Sequence, residues 1–410
     1  MLSVHSTAHK HTLHKMTAML KLSVLLLGLL GYGQASAEMR GSWNGFVSQG
    51  WILGDHNNFY GDSDGTRGSF DYRELGLNGF IQATPQLKFN AQILSRLAGA
   101  TSDGDPDLDY LFADWSLLQQ TDQQAGLRLG RIKNAYGFFN ETRDIAFTRP
   151  GIIMPQSIYF DQVRELLLSS DGIALYYRKN TDQGQWLVDA QYGQLQTGSS
   201  TEAILMGRTW AGSFGDSTVK LARVIFEPNG ERWRFGFTGL DSSLPFSPAP
   251  ADLAFIPTAG KVTVQMAIVS AQYNQEYWSF TTEALQGKTR WHNLGPIFAD
   301  AKTMRSFYLQ LDHRLSHQWQ LMLRYDQQQL DKDDPQGKAF SQRPGAGPGH
   351  QQYSRDWALG LRYQPDSQWD LGAELHQTEG TSWLFKQDNP DPTKLKKHWQ
   401  MLILQAAYRF

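Results

Sequence analysis

The chain has 410 residues, with 38 basic and 40 acidic side chains, no cysteine, and 12% aromatics that include 13 tryptophans. The balanced charge excludes a nucleic-acid-binding surface built on a basic surplus, and the lack of cysteine excludes disulfide stapling or an acylated N-terminal cysteine. Mean hydropathy is negative, −0.46, and no apolar run after residue 37 approaches the roughly 20 residues of a membrane helix.

The first element is a leader. Lys10, Lys15 and Lys21 precede an uncharged apolar run over 22–37 that ends in Ala35-Ser36-Ala37. A basic start, a short apolar core and a small-x-small ending describe a secretory signal cleaved after Ala37. His5, His9, His11 and His14 fall in this leader and are expected to be discarded with it. Without its three lysines the mature chain keeps 35 basic against 40 acidic residues, a net charge of −5.

From residue 38 onward apolar residues alternate with polar ones. Trp186/Val188/Ala190/Tyr192 interleave with Asp189 and Gln191, and Trp233/Phe235/Phe237 with Arg234. Further along, Trp319/Leu321/Leu323/Tyr325, Trp357/Leu359/Leu361/Tyr363 and Trp369/Leu371/Ala373/Leu375 repeat the pattern. A period of two is the signature of a strand with two different faces. The alternation predicts sixteen strands, beginning near 43, 69, 86, 108, 125, 171, 185, 217, 231, 261, 275, 303, 317, 354, 368 and 398. Their stripes often end on Trp or Tyr, as strands do at lipid–water boundaries.

Between the strands, short turns at 84–85, 119–124, 180–184, 228–230, 274–275, 315–317 and 365–367 alternate with longer polar loops. The loops are expected at 52–68, 98–107, 134–170, 194–216, 240–260, 286–302, 329–353 and 378–397. Short turns at one rim and long loops at the other predict an all-β transmembrane antiparallel β-barrel of 16 strands, with periplasmic turns and extracellular loops. Sixteen strands enclose an aqueous channel rather than a side-chain core. No separate domain is evident ahead of the first strand, so any narrowing is expected from a loop folded inward.

The inward phase collects Lys88, Arg96, Arg128, Arg178, Lys220, Arg232, Arg234, Arg324, Arg362 and Arg409. Glu74, Asp114, Asp189, Glu283, Asp312, Asp326, Asp370 and Glu374 oppose them. Arg128, Arg178, Arg234, Arg324, Arg362 and Glu374 are the candidate lumen-wall residues. Leu321, Leu359 and Leu371 should face lipid, whereas Gln320, Gly360 and Gly372 should face the lumen and accept polar replacements.

The segment Leu129-Gly-Arg-Ile-Lys-Asn-Ala-Tyr-Gly137 opens the longest loop, and the terminal strand ends Leu404-Gln-Ala-Ala-Tyr-Arg-Phe410. Together with the leader and the sixteen strands, these features resemble the Gram-negative outer-membrane porins. Arg149-Pro-Gly151, Pro155-Gln-Ser157 and Asp171-Gly172 are similar to the phosphate-selective-porin-like group within them. The dense lysine cluster and arginine ladder of a phosphate-specific channel are not present. The resemblance implies a passive channel in the outer membrane, in contact with outer-membrane lipid and lipopolysaccharide, passing ions and small hydrophilic solutes, and assembled as a homotrimer. It further implies that the third loop folds into the barrel, with Arg143, Asp144, Arg149, Asp161, Arg164 and Glu165 at the constriction. Phe410 would act as the assembly signal.

Other readings carry less support. Asp103-Gly-Asp-Pro-Asp-Leu-Asp109 has acidic spacing like a calcium loop but has Leu108 where glycine belongs. Gly287-Lys-Thr289 lacks the earlier glycine of a P-loop, and no H-E-x-x-H or G-x-S-x-G is present. No catalytic residue, metal or cofactor is therefore expected. The alternative function is a barrel serving mainly as a surface receptor or adhesin, with its lumen closed by loops; a soluble β-sandwich would alternate similarly but would not need a terminal aromatic strand.

Overall fold

The computed structural model describes residues 40–230, 232–298 and 301–410, so the expected leader over 1–37 lies outside the described residues. Sixteen long strands follow in order: β1 (Arg40–Gly54), β2 (Ser69–Gln82), β3 (Leu87–Ala98), β4 (Asp103–Gln119), β5 (Gln123–Lys133), β6 (Ser169–Thr181), β7 (Gly184–Leu195) and β8 (Ser217–Pro228). They continue as β9 (Trp233–Ser247), β10 (Gly260–Asn274), β11 (Trp278–His292), β12 (Ala301–Arg314), β13 (Trp319–Gln329), β14 (Tyr353–Tyr363), β15 (Trp369–Gly380) and β16 (His398–Arg409). A two-residue strand, Ser213–Phe214, adds to the end of β9.

Each long strand pairs antiparallel with its neighbours, and β1 pairs with both β2 and β16, so the sheet closes into a barrel. Closure removes every sheet edge, which a strand in lipid cannot leave unpaired. At the seam Gly45 N donates to Phe410 O and Phe410 N to Gly45 O, both at 2.9 Å.

The outer face carries an apolar belt bounded by aromatics at the short-turn rim. There Trp233 pairs across to Tyr273, Trp319 to Tyr363 and Trp369 to Tyr408, with ring centroids 4.5, 4.3 and 4.9 Å apart. Leu321, Leu323, Leu359 and Leu375 are exposed in the belt above them, on the face that would meet lipid.

The strands begin near the predicted positions, but three features differ. The second long loop shrinks to 99–102, because the acidic run Asp103–Asp109 is strand, accommodated by register shifts between Gln92/Ile93 and Ser95/Leu97. Alternation there is masked by a bulge, which places two residues against one. β9 and β11 run on to Ser247 and His292, beyond the predicted loop starts, since polar residues on both faces still form a ladder above the apolar belt. Lys220 points outward, opposite Tyr192 and Asp241, and Arg223 takes the inward position beside Asp189. The apolar run in β8 reads equally in either phase, and only the neighbouring strands decide it.

Candidate functional site: the loop across the lumen

The loop joining β5 to β6, residues 134–168, folds into the barrel. It leaves β5 at Gly137, where φ is +56 and a side chain would collide with Tyr159 Oη and Glu283 Oε1. Glycine is the residue that fits such a left-handed, crowded position. From there the loop crosses to the far wall and returns, with all ten residues of 151–160 buried.

Four wall carboxylates hold it. Glu74 on β2 receives Arg149 Nη2, 2.6 Å from both carboxylate oxygens. Glu283 on β11 accepts from Phe138 N at 3.0 Å, Tyr159 Oη at 2.5 Å, Ser270 Oγ at 2.6 Å and Tyr308 Oη at 2.9 Å. Asp326 on β13 accepts from Ser157 N at 3.2 Å. Glu374 on β15 accepts from Ile152 N at 2.6 Å and Ile153 N at 3.3 Å. A carboxylate buried in a barrel is tolerable only when its lone pairs are met; here the loop meets Asp326 and Glu374 with main-chain N–H groups, Glu74 with the Arg149 guanidinium, and Glu283 with both Phe138 N and the Tyr159 hydroxyl.

The six predicted constriction residues all lie on this loop. Arg143 donates to Asp161 at 2.7 Å and to Tyr159 O at 3.1 Å. Asp144 bridges Lys133 at the end of β5 and Arg164, and Lys133 also reaches Asp109 on β4 at 2.5 Å. Glu165 is exposed against Gly198 of the next loop. Arg143 and Arg149 are thus buried in ion pairs and face no open gap; the charge opposition expected across water is satisfied within the loop and against the wall.

Asp161 is the hub of this network. Tyr60, from the loop between β1 and β2, donates to it, and Arg96 Nη2 of β3 stands 3.7 Å away. Burial opposes ionisation of Asp161, but Arg96, Arg143 and Arg164 outweigh it and hold the carboxyl well below its usual range. Burial, followed by the negative charge of Asp161, pushes the Tyr60 phenol well above its usual range, so it remains a donor. Tyr60 adopts φ +56 while fully buried, a conformation that costs a bulky residue of order 1–3 kcal/mol.

All six predicted lumen-wall residues point inward. Arg128 pairs with Asp114 at 3.2 Å and Glu141 at 3.8 Å. Arg178 lies over the Tyr176 ring, and Arg234 pairs with Glu227 at 3.1 Å above the Phe138 ring. Arg362 pairs with Asp370 at 3.2 Å and donates to Ala146 O at 3.2 Å. Arg324 is 1% exposed and, among the described residues, has no carboxylate in ion-pair range. The remaining half of the lock was harder to see. Tyr60 and Arg223 carry no spacing signal that marks them in advance; alternation sets Asp356 and His376 on the inward face, but not their pairing at 2.8 Å.

The loop is packed in place by its neighbours. Phe59 and Tyr60 of the first loop and Trp383, Leu384 and Phe385 of the last pack on Ile152 and Ile153 in one apolar cluster. Around the wall, every strand contributes at least one buried inward residue. From β1 to β8 these are Ile52, Glu74, Arg96, Asp109, Ile132, Ser170, Gln191 and Leu221. From β9 to β16 they are Leu240, Ile268, Glu283, Tyr308, Asp326, Asp356, Glu374 and Ile403.

No family model matches the chain, and no curated protein matches it in sequence. Solved structures do match it in fold. The outer membrane channel DcaP of Acinetobacter baumannii covers 92% of this chain and 99% of its own, at 14% identity and TM-score 0.55. An anion-selective porin from Comamonas acidovorans covers 91% and 100%, at 12% and 0.54. OmpT, an outer membrane protein of Vibrio cholerae, in its trimer form, covers 91% and 99%, at 12% and 0.54. The fold is therefore that of the Gram-negative outer-membrane porins.

Proposed function

We propose that this chain is an outer-membrane porin, passing ions and small hydrophilic solutes by passive diffusion, with the 134–168 loop as its gate. The observation that carries the proposal is how the loop is tied. It is held to the wall by ion pairs and by main-chain bonds to Glu74, Glu283, Asp326 and Glu374, contacts that water or a solute can replace. A charged, water-compatible wall beneath it, with Arg128, Arg178, Arg234 and Arg362, suits aqueous permeation. Export with cleavage after Ala37 and assembly as a homotrimer belong to the same reading, the latter supported by the trimeric OmpT structure.

The buried inward residues on every strand favour a second reading, a surface receptor or adhesin whose lumen stays shut. Planar-bilayer recording in a salt gradient separates the two. A porin gives discrete openings that become longer and larger when 141–165 is shortened, and its reversal potential gives the sign of selectivity. Silence in both the full mature chain and the shortened variant, each correctly inserted, would establish the receptor reading instead.

A further inference from the structure

We propose that the recess beneath the crossing loop, between Pro150–Ile152 and the wall of β13–β16, is a binding subsite for an uncharged polyhydroxylated solute. The proposal rests on the porin reading above and names a solute class for it.

The recess is walled by Gln320 and Met322 of β13, Arg362 of β14, Asp370 of β15 and Gln405 of β16, and roofed by the underside of the loop. These wall residues lie near the short-turn ends of their strands, so the recess is on the periplasmic side of the loop. Its enclosed part takes about one water-sized group, so the edge of a solute enters it and the body rests at the mouth.

The charged groups around the recess are already engaged. Arg362 pairs with Asp370 at 3.2 Å, and its Nη2 donates to Ala146 O at 3.2 Å. Asp370 also accepts from Gln364 Nε2 at 3.4 Å. Glu374 meets Ile152 N, Ile153 N and His376. Asp312, on β12, accepts from Gln310 and Gln320, both at 2.9 Å. Arg324 Nη1 and Glu374 Oε1 both lie within 3.0 Å of where a Cβ on Gly151 would stand, so that guanidinium has a carboxylate's charge close by.

A second set of polar atoms, among the described residues, is buried without a hydrogen-bond partner. Gln405 Nε2 lines the recess itself. Gln310 donates to Pro150 O at 2.8 Å and leaves its Oε1 unpartnered; Arg324 Nε is unpartnered as well. Across the loop, on the extracellular side, Ser157 Oγ and Trp383 Nε1 are unpartnered at a second small space shared with Gln328 and Ser354.

This mixture selects the ligand. An unpartnered buried polar atom is unfavourable until a partner reaches it. Gln405, Arg324 and Trp383 offer donors, Gln310 offers an acceptor and Ser157 a hydroxyl; a hydroxyl on the solute both donates and accepts, so it suits each of them. A charged solute would have to break an ion pair already made, whereas a polyol takes the unpartnered atoms and leaves the pairs intact. Ile152 and Met322 supply apolar surface for its carbon face.

The test reconstitutes the full mature protein in liposomes and follows swelling in isotonic glucose, glucuronate and glucosamine, which share a ring and differ in charge. Glucose should enter at least fivefold faster than either charged sugar, and should reduce single-channel ion current along a saturating dose curve. Q405L removes a polar atom that has no partner in the fold, so a merely structural role predicts no change; a subsite role predicts a glucose block at least fivefold weaker. N90L, which removes an unpartnered amide from β3, should leave the block as it is. Equal entry of the three sugars, a block that does not saturate, an unchanged block in Q405L or the same weakening in N90L would overturn the proposal. No entry of any sugar through protein that keeps heat-modifiable gel migration would instead overturn the porin reading on which it rests.

Discussion

Arg149, in the loop that crosses the barrel, sets Nη2 2.6 Å from both oxygens of Glu74, a residue of β2 lying 75 positions earlier in the chain. Its Nη1 meets Tyr72 Oη at 2.7 Å, and Nε donates to Arg143 O. One side chain thus locks the far end of the loop to the wall and to the loop's own first half. Removing one partner of a buried pair costs about 3–5 kcal/mol, since the other is left charged and dry. R149Q should therefore loosen the loop, although Arg96 Nε, 3.3 Å from Glu74, still balances the carboxylate's charge and reduces the cost. The expected readout is a higher open probability in bilayers with unchanged membrane insertion; an unchanged open probability would show that Arg149 does not govern closure.

Acid should release the same loop through Asp161. Its folded carboxyl lies below its ordinary value because of Arg96, Arg143 and Arg164, against the opposing effect of burial. A lowered value means that the tie is fully present above the unfolded value, near pH 4, and is lost as pH falls through the lower folded one. Closure should hold from neutral pH to about 4, weaken progressively below it, and fail only as pH falls through the lower folded value. In D161N the transition should disappear, leaving a channel equally leaky at pH 7 and in the acid range below pH 4 where wild type opens. A wild-type acid transition that survives in D161N would assign it elsewhere.

The lipid belt makes a sharper demand on Leu359 than on its neighbours. Leu359 is exposed on the outer face near mid-strand, where arginine costs about 2–4 kcal/mol. L359R should lower the free energy of unfolding, measured in urea with lipid vesicles, by that amount, while Gln320→Lys on the inner face, which keeps a donor for Asp312 Oδ1, should change little. The expectation that Gly360 and Gly372 accept polar side chains does not hold. A Cβ at Gly372 would lie 3.0 Å from Ile152 of the crossing loop, and one at Gly360 would lie 2.9 Å from Met322. G372S should be destabilising by packing alone.

Phe410 closes the seam. Deleting it removes two main-chain hydrogen bonds to Gly45 and strips the aromatic end from the closing strand. Outer-membrane levels of the deletion variant should fall several-fold while export continues, measured by fractionation. Phe410→Tyr, which keeps the backbone and the ring, should restore them.

Much of the architecture was written in local sequence. The period-two stripes from Trp186 to Phe410 fix which residues of each strand share a face, because successive side chains in extended chain must point oppositely. Turn residues such as Asn229-Gly230, with Gly230 at φ +96, mark the short rim. The length of the 134–168 segment and its cluster of charges flagged it as the loop that matters, since connections above about 12–15 residues are rarely idle.

Tertiary structure decided the rest. The phase of β8, and so the choice of Arg223 over Lys220, depends on Asp189 in the neighbouring strand. Whether Arg143, Arg149 and Arg164 face water or carboxylates depends on Asp161, Glu74 and Asp144; Glu74 lies outside the loop, and the other two stand 18 and 20 residues from the arginines they meet. Tyr60 meets Asp161 across 101 residues. Period and composition report the neighbours a residue has along its own strand, whereas the charges it meets across a barrel lumen are set by closure, which brings together strands from opposite ends of the chain.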